Sequence, residues 1–179
     1  ACSADGAKLV AAGDGGIYAS ADSGITWTPS GAPAGGWLTV ASSANGTLLA
    51  AVRAGLHANE PIYTSTNSGA TWTFTNTWDT AWTSIATSAD GTKLVASSAR
   101  TSYQNAPGLI FLSTNSGVNW TPSSAPGAAW SLVASSADAS YLLAVGGSAI
   151  FTSPDAGTTW NSNSAPVTKS AAGPRRFTG

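Results

Sequence analysis

The sequence contains little charge of either sign. Of its 179 residues 8% are charged, against about 25% in an average soluble domain, and the formal net charge is -1. This balance provides no basic patch for nucleic acid or for an anionic membrane, so we expect neither as a partner. Solubility must instead depend on Ser, Thr, Asn and Gly.

Other scarce residue types exclude further kinds of site. Cys2 is the only cysteine and His57 the only histidine, so the chain has no internal disulfide and no zinc-type Cys/His cluster. We therefore expect no metal and no cofactor. No apolar run approaches the roughly 18 residues that cross a bilayer, and no Met-led signal peptide is present. We expect no membrane insertion, and a chain that is mature, trimmed or a fragment.

One eight-residue pattern, S-x-[DN]-x-G-x-x-W, occurs four times. An Asx side chain can bond backbone N–H groups ahead of it and Gly accepts positive φ, so each copy predicts a tight turn. We name these segments the Asx-Gly turns and predict a structural role, with each Trp ring buried between packed layers. Their defining residues are Ser20, Asp22, Gly24, Trp27; Ser65, Asn67, Gly69, Trp72; Ser113, Asn115, Gly117, Trp120; and Ser153, Asp155, Gly157, Trp160.

The chain is built from repeats. The four Trp residues of the Asx-Gly turns are separated by 45, 48 and 40 residues, and a second landmark that begins at Trp37, Trp82 and Trp130 recurs in phase. Each unit contains four short β-prone runs separated by turn residues, at 37–42, 47–53, 61–65 and 71–75 in the second unit. Four strands in a repeat of 40–48 residues predict an all-β fold, a β-propeller of four-stranded antiparallel blades with about four blades in this chain.

We predict a single propeller domain over residues 1–172, followed by a tail at 173–179. The repeats are about 1–36, 37–81, 82–129 and 130–163, and residues 164–172 form a closing segment. The first repeat lacks its innermost strand, and two end blades expose apolar surface. We expect either that 164–172 supplies that strand, or that another copy or segment covers the ends.

The Asx-Gly turn resembles the Asp box, or bacterial neuraminidase repeat, of sialidase-type β-propellers, which recurs in sortilin-like receptors and photosystem II assembly factors. The four copies span almost the whole chain, and the resemblance implies a propeller fold. The resemblance also makes sialidase activity a hypothesis to consider. In that family this activity needs three arginines, a Tyr–Glu nucleophile pair, an acidic proton donor and an Arg-Ile-Pro motif. No Arg-Ile-Pro occurs, and only Arg53 and Arg100 lie in the repeats. We therefore expect no enzyme activity.

Three departures from the simple repeat predict a ligand site. Loops 53–61 and 98–108 join the second and third strands of neighbouring blades, and 74–81 connects those two blades. All three should lie on the face opposite the Asx-Gly turns, where loops on a rigid scaffold carry function. Aromatic rings there suit sugar stacking, and arginines suit an acidic substituent. The candidate binding residues are Arg53, His57, Asn59, Glu60, Trp78, Asp79, Arg100, Tyr103 and Gln104.

The leading functional hypothesis is a noncatalytic extracellular or cell-surface β-propeller module for binding or assembly, with a carbohydrate or protein ligand on those loops. One alternative is a sialidase-like glycoside hydrolase fragment, and a second is a structural subunit of a repeating assembly.

Overall fold

The protein is described by a computed structural model that covers residues 1–53, 61–75, 81–99 and 106–164. These residues form four separate antiparallel sheets and no helix, so the predicted propeller architecture of four blades is confirmed. Blade 1 has three named strands and each other blade has four. The strands are β1 (Leu9–Gly13), β2 (Gly16–Ser20) and β3 (Thr28–Pro29); β4 (Trp37–Ser42), β5 (Leu49–Arg53), β6 (Ile62–Ser65) and β7 (Thr73–Thr75); β8 (Trp82–Thr87), β9 (Leu94–Ser98), β10 (Ile110–Ser113) and β11 (Thr121–Pro122); and β12 (Trp130–Ser135), β13 (Leu142–Gly146), β14 (Ala149–Ser153) and β15 (Asn161–Ser164).

Each blade is a meander in which consecutive strands pair. In blade 2, β5 and β7 begin two residues later than the sequence predicts, because Asn45 and Asn67 bond backbone N–H groups just before them, and β6 begins one residue later. The first strands β4, β8 and β12 all carry a register shift directly after their Trp. Such a bulge bends a strand and increases its twist, which suits the crowded inner edge of a propeller.

The apolar core lies between blades. Adjacent residues of a strand point to opposite sides of a sheet, so the third strand of each blade sends Ile one way and an aromatic ring the other. Ile62 is fully buried toward blade 3, while Tyr63 packs toward blade 1. The interior of the molecule is therefore three layers of side chains between four sheets.

The most deeply buried tryptophans are not those of the Asx-Gly turns. Trp37, Trp82 and Trp130, at the start of the first strands, are 3%, 3% and 2% exposed. Trp27 is 43% exposed, and the other three Asx-Gly turn rings are half-buried. In each turn the indole N–H donates to the carbonyl of its own Gly at 3.0–3.2 Å, which holds the ring at the rim of the blade. The prediction that these rings are buried between layers is therefore wrong in degree.

Blade 1 possesses the end of a first strand, contrary to the sequence prediction. The Val10 N–H donates to the Ala1 carbonyl at 2.9 Å, the Ser3 N–H donates to the Lys8 carbonyl at 2.8 Å, and Cys2 forms a bridge with Leu9. At the other end, Ser164 belongs to β15 and pairs with Ala149 in blade 4. Residues 165–172 of the predicted closing segment, and the tail 173–179, lie outside the described residues.

The blades follow one another in chain order around an arc. The innermost strands are neighbours in the series β1, β4, β8 and β12, and β12 makes no comparable contact with β1 in the part of the chain that the structure describes. In the described residues the four blades therefore form an open arc with one uncovered sheet surface at each end.

Candidate functional site

The turns of the blades divide the molecule into two faces. In every blade a backbone N–H of the Asx-Gly turn donates to a carbonyl of the turn between the first and second strands, for example Ser68 to Thr47 at 2.9 Å. Both kinds of turn therefore lie on one face, which we name the turn face. The loops between second and third strands, and the connections between blades, lie on the opposite face, which we name the loop face. This division agrees with the sequence prediction.

The Asx-Gly turn is held by a buried serine. In blade 2 the Ser65 hydroxyl donates to Asn67 Oδ1 and accepts the Gly69 N–H, both at 2.9 Å. Asn67 Oδ1 also accepts the Thr71 N–H at 2.9 Å. Ser68 and Gly69 both have positive φ, 57° and 88°, as a type I′ turn requires. The other three Asx-Gly turns contain equivalent bonds.

The turns between first and second strands contain the same Ser–Asx hydrogen bonds, which were not among the sequence predictions. The Ser43 hydroxyl donates to Asn45 Oδ1 at 2.8 Å and accepts the Leu48 N–H at 3.0 Å. Equivalent serines and Asx residues occur in the other blades, at Ser3 and Asp5, Ser88 and Asp90, and Ser136 and Asp138. The signal for them is a repeated Ser-Ala-[Asp/Asn] in the sequence.

The carboxylates of the turn face are committed to their own turns. The Thr26 hydroxyl, the Thr26 N–H and the Ser20 hydroxyl lower the pKa of Asp22 to about 2. The Ser88 hydroxyl and the Thr92 N–H and hydroxyl lower the pKa of Asp90 to about 2. The same kinds of bonds also lower the pKa values of three further carboxyls, Asp5, Asp138 and Asp155. These groups are ionised at neutral pH and act as hydrogen-bond acceptors for the backbone, which does not suit a general acid.

Two cavities on the turn face occupy equivalent places in the repeat. One of about 200 Å³ lies between blades 1 and 2, below Lys8, and one of about 130 Å³ lies between blades 3 and 4, below Lys93. At the junction of blades 2 and 3 the equivalent residue is Leu48, which is 7% exposed and packs into that space. We interpret both cavities as the consequence of Lys standing where Leu would fill the layer.

Arg53 is the one candidate binding residue that the described structure contains. It ends β5 on the loop face, where Nη2 donates to the Ala34 carbonyl at 2.6 Å. Its guanidinium carbon lies 5.4 Å from the centroid of the Trp37 ring, within the range of a cation–π contact. These contacts hold Arg53 against the connection between blades 1 and 2. The other eight candidates, His57, Asn59, Glu60, Trp78, Asp79, Arg100, Tyr103 and Gln104, lie outside the described residues.

The points where the three predicted loops leave the sheets are adjacent. Ile62 pairs with Thr75, so the end of loop 53–61 lies beside the start of loop 74–81. The Ala99 N–H donates to the Ala81 carbonyl at 2.8 Å, which joins the start of the third loop to the end of the second. The three loops therefore begin from one sector of the loop face. That their side chains form one site stays a prediction.

The described residues hold no group of three or more His, Cys, Asp or Glu side chains placed to bind a metal ion. They also contain no helix long and apolar enough to span a membrane.

Comparison with known proteins identifies the fold. No family model matches the sequence, and no curated protein matches it significantly. Among solved structures, an ancestral GH74 enzyme superposes with a TM-score of 0.69 at 19% identity, over 89% of this chain and 22% of that chain. A chain of a nidogen/laminin complex gives 0.69 at 14%, over 92% and 63%. YCF48 bound to a D1 peptide gives 0.55 at 15%, over 75% and 40%. The chain thus spans about a fifth to two thirds of these β-propeller structures, and the likeness concerns the fold alone.

Proposed function

We propose that this chain is a noncatalytic β-propeller module of the Asp-box repeat type, extracellular or at the cell surface, that binds a carbohydrate or protein ligand on its loop face. One observation carries the proposal. The five Asp side chains of the turn face bond backbone N–H groups of their own turns, whereas the three irregular loops leave the loop face from adjacent points. A rigid scaffold with variable loops grouped in one sector is the usual arrangement of a binding site.

The chemistry of the three loops indicates the ligand class. Trp78 and Tyr103 offer flat rings for stacking on a sugar, and Asn59 and Gln104 offer amide groups for hydroxyls. Arg53 stands at the border of this sector, with its guanidinium held over Trp37. The similar structures include both an enzyme and complexes with protein or peptide partners, so they leave the choice between sugar and protein to experiment.

A catalytic role is the competing hypothesis, because Glu60 and Asp79 are carboxylates on two of these loops. A retaining or inverting glycosidase needs two such groups on either side of the scissile bond. In the described part of the loop face the carboxylate is Asp14, in the tight turn of blade 1. Because Glu60 and Asp79 are the two carboxylates on the irregular loops, the experiment includes an assay for glycan hydrolysis.

The test uses a glycan array and soluble plant and bacterial polysaccharides, followed by titration of each hit. Its key variant replaces residues 54–61 with Asp-Gly-Gly, the segment that follows Gly13 in blade 1, because Gly16 has a φ of 135° that Pro61 cannot adopt. This change keeps a connection that the fold already uses, so the thermal midpoint should stay within a few degrees while ligand binding is lost. Asp90→Asn, on the turn face, is the control and should bind normally.

Three results would contradict the proposal. Unchanged binding by the shortened variant would move the site away from loop 53–61. Loss of binding in the Asp90→Asn control would move it to the turn face. Release of reducing sugar from a bound glycan, lost in Glu60→Gln or Asp79→Asn, would make the chain a glycoside hydrolase.

A further inference from the structure

Each junction between blades joins the same two sheet surfaces. We name the surface that faces the next blade along the chain the front, and the opposite one the back. The front contributes the Ile of the third strand and alternate residues of the second, as with Val52 and Ile62 of blade 2. The back contributes a Leu-x-Ala segment and an aromatic ring, as with Leu94, Ala96 and Phe111 of blade 3. These five residues, at the junction of blades 2 and 3, are 0–3% exposed.

The front of blade 4 carries this pattern, and no blade covers it among the described residues. Leu143, Val145 and Ile150 occupy the positions of Ala50, Val52 and Ile62, and all three are only half-buried. Tyr141, at the position where Leu48 fills the layer between blades 2 and 3, is 64% exposed. None of these four residues is charged, so the front of blade 4 carries a partly exposed apolar patch, beside the polar Thr152 and Asn163.

The back of blade 1 is the complementary surface. Leu9, Ala11 and Tyr18 repeat the Leu-x-Ala and aromatic pattern, yet Ala11 is exposed and Tyr18 is 39% exposed. Trp27 is 43% exposed on the same side. The equivalents of Ala11 in the following three blades, Ala51, Ala96 and Ala144, are all 0% exposed. The difference is therefore one of position in the arc and not of residue type.

A backbone ladder across the turn face points to the same match. The Ala4 N–H donates to the Ala44 carbonyl, Ala44 to Ala89, and Ala89 to Ala137, each at 2.7 Å. The ladder stops at both ends: among the described residues the Ala137 N–H has no acceptor and the Ala4 carbonyl has no donor. Within the described part of the chain, the ladder thus ends in a donor at the front of blade 4 and in an acceptor at the back of blade 1.

We propose that the front of blade 4 binds the back of blade 1 of a second copy of this chain, and that two such contacts close a ring of eight blades. Tyr141, Leu143, Val145 and Ile150 of one copy then cover Leu9, Ala11, Tyr18 and Trp27 of the other, and the Ala137 N–H of one donates to the Ala4 carbonyl of the other. The contact is head-to-tail, and it occurs twice about a twofold axis, so the assembly has no uncovered blade. Eight blades is within the range of known propellers.

The test measures mass in solution by analytical ultracentrifugation over a wide concentration range, and the expected species has twice the chain mass. Tyr141→Asp disrupts the front of blade 4 and Ala11→Asp the back of blade 1, and both positions are exposed in the single chain. Each variant alone should dissociate at least tenfold more readily, because each damages both contacts of the ring. Ser162→Asp, exposed on the opposite side of blade 4, is the matched control and should keep the wild-type mass.

Mixing the two variants is the decisive experiment. An Ala11→Asp chain retains an intact blade 4 front and a Tyr141→Asp chain an intact blade 1 back, so an equal mixture should form a one-to-one pair through one intact contact. The circular dichroism of each variant must match the wild type, so that lost association is not lost folding.

Several outcomes would overturn the proposal. One is a wild-type chain that remains a monomer at every concentration. If that monomer associates only after residues 165–179 are removed, this segment covers the blade surface in place of a second copy. Another is an Ala11→Asp variant that still pairs by itself, which would mean a front-to-front contact. A mass series that grows without limit would mean filaments and not a closed ring.

Discussion

At the scale of single residues, the serine hydroxyl is the group on which each Asx-Gly turn depends. The four serines are 0–5% exposed, and each hydroxyl both donates to the Asx side chain and accepts a Gly N–H. A hydroxyl can perform both tasks at once because it has one donor and two acceptor sites. No apolar side chain of similar size can replace it.

Ser65→Ala should therefore lower the free energy of unfolding by about 1–3 kcal/mol, since it leaves the buried Gly69 N–H without an acceptor. Urea unfolding followed by fluorescence measures the change. The exposed Ser162→Ala serves as control and should unfold like the wild type. Equal stability of the Ser65 variant would show that the hydroxyl bond contributes nothing net.

The turn carboxylates predict how stability depends on pH. The pKa values of Asp22 and Asp90 fall from the ordinary 3.8 to about 2 in the folded chain, so the unfolded chain binds more protons in this range. Their stabilising effect is thus fully present above the ordinary value, and it is lost as the pH falls toward about 2. The thermal midpoint should be flat near neutral pH and should drop steeply in this acid window.

The double change Asp22→Asn and Asp90→Asn should reduce that acid drop while the fold at neutral pH persists. Asn already stands at equivalent positions, Asn67 and Asn45, and makes the same backbone bonds. Thermal scans of both proteins across the acid range measure the effect. If the double variant lost stability with acid as steeply as the wild type, other groups would be responsible.

At the scale of elements, the layer between two blades is organised by the Trp at the start of the first strand. Trp37 meets Tyr63 edge to face at 4.9 Å, and Trp82 and Trp130 meet Phe111 and Phe151 in the same way at 5.3 and 4.9 Å. Edge-to-face contacts add to the effect of burial. The two rings of each pair belong to one blade, and the inner Trp ring is buried in the layer shared with the preceding blade, whereas the Asx-Gly turn ring covers the outer rim.

Trp82→Ala should therefore cost about 3–5 kcal/mol, as for a fully buried aromatic ring, and the half-buried Trp120→Ala should cost less. Both rings belong to blade 3, so the comparison holds the blade constant. Urea unfolding of the two variants gives the two values. A larger loss for Trp120 would reverse the assignment of the two rings.

The cavity between blades 1 and 2 offers a test of how one position sets the packing of a layer. Lys8→Leu places at this junction the side chain that Leu48 provides between blades 2 and 3, opposite Gly46 as Leu48 is opposite Gly91. Cavity filling should raise the free energy of unfolding by about 0.5–2 kcal/mol. The change also removes the 3.3 Å bond from Lys8 Nζ to Ser68 Oγ. A loss of stability would mean that this bond outweighs the cavity.

At the scale of the whole molecule, stability is distributed unevenly along the arc. All five residues of β9 and the first four of β5 are buried, whereas four of the five residues of β14 are only half-buried. In a repeat array each unit is stabilised by its neighbours, so units with two neighbours are the most stable. The central blades should accordingly unfold last.

Amide hydrogen exchange at low protein concentration should therefore be slowest in β5 and β9 and clearly faster in β2 and β14. Mass spectrometry of peptides from the four blades measures this order. Uniform protection across all four blades would show that the chain unfolds as one cooperative unit, without end effects.

The blade architecture could be predicted from the sequence because its signals are local. Each Asx-Gly turn closes its hydrogen bonds within a few residues, and alternate residues of a strand necessarily share a side. The predicted strand 37–42 has the same bounds as β4. Loops 74–81 and 98–108 were predicted to lie in one sector because both adjoin blade 3, and the Ala99 to Ala81 bond joins them there. Residues 1–6 match the end of the landmark that begins at Trp37, but no strand was predicted there, because three residues are too short a run to indicate a strand.

What the sequence by itself determined is the period, the turn chemistry, the four-stranded blades and the two faces, since all of these depend on residues close together in the chain. The tertiary structure decided which of two tryptophans per repeat is buried, that Arg53 lies against Trp37 and Ala34, and that identical Leu-x-Ala segments are covered in blades 2 to 4 and uncovered in blade 1. These properties depend on what lies opposite a surface in space, and residues forty or more positions away along the chain supply it.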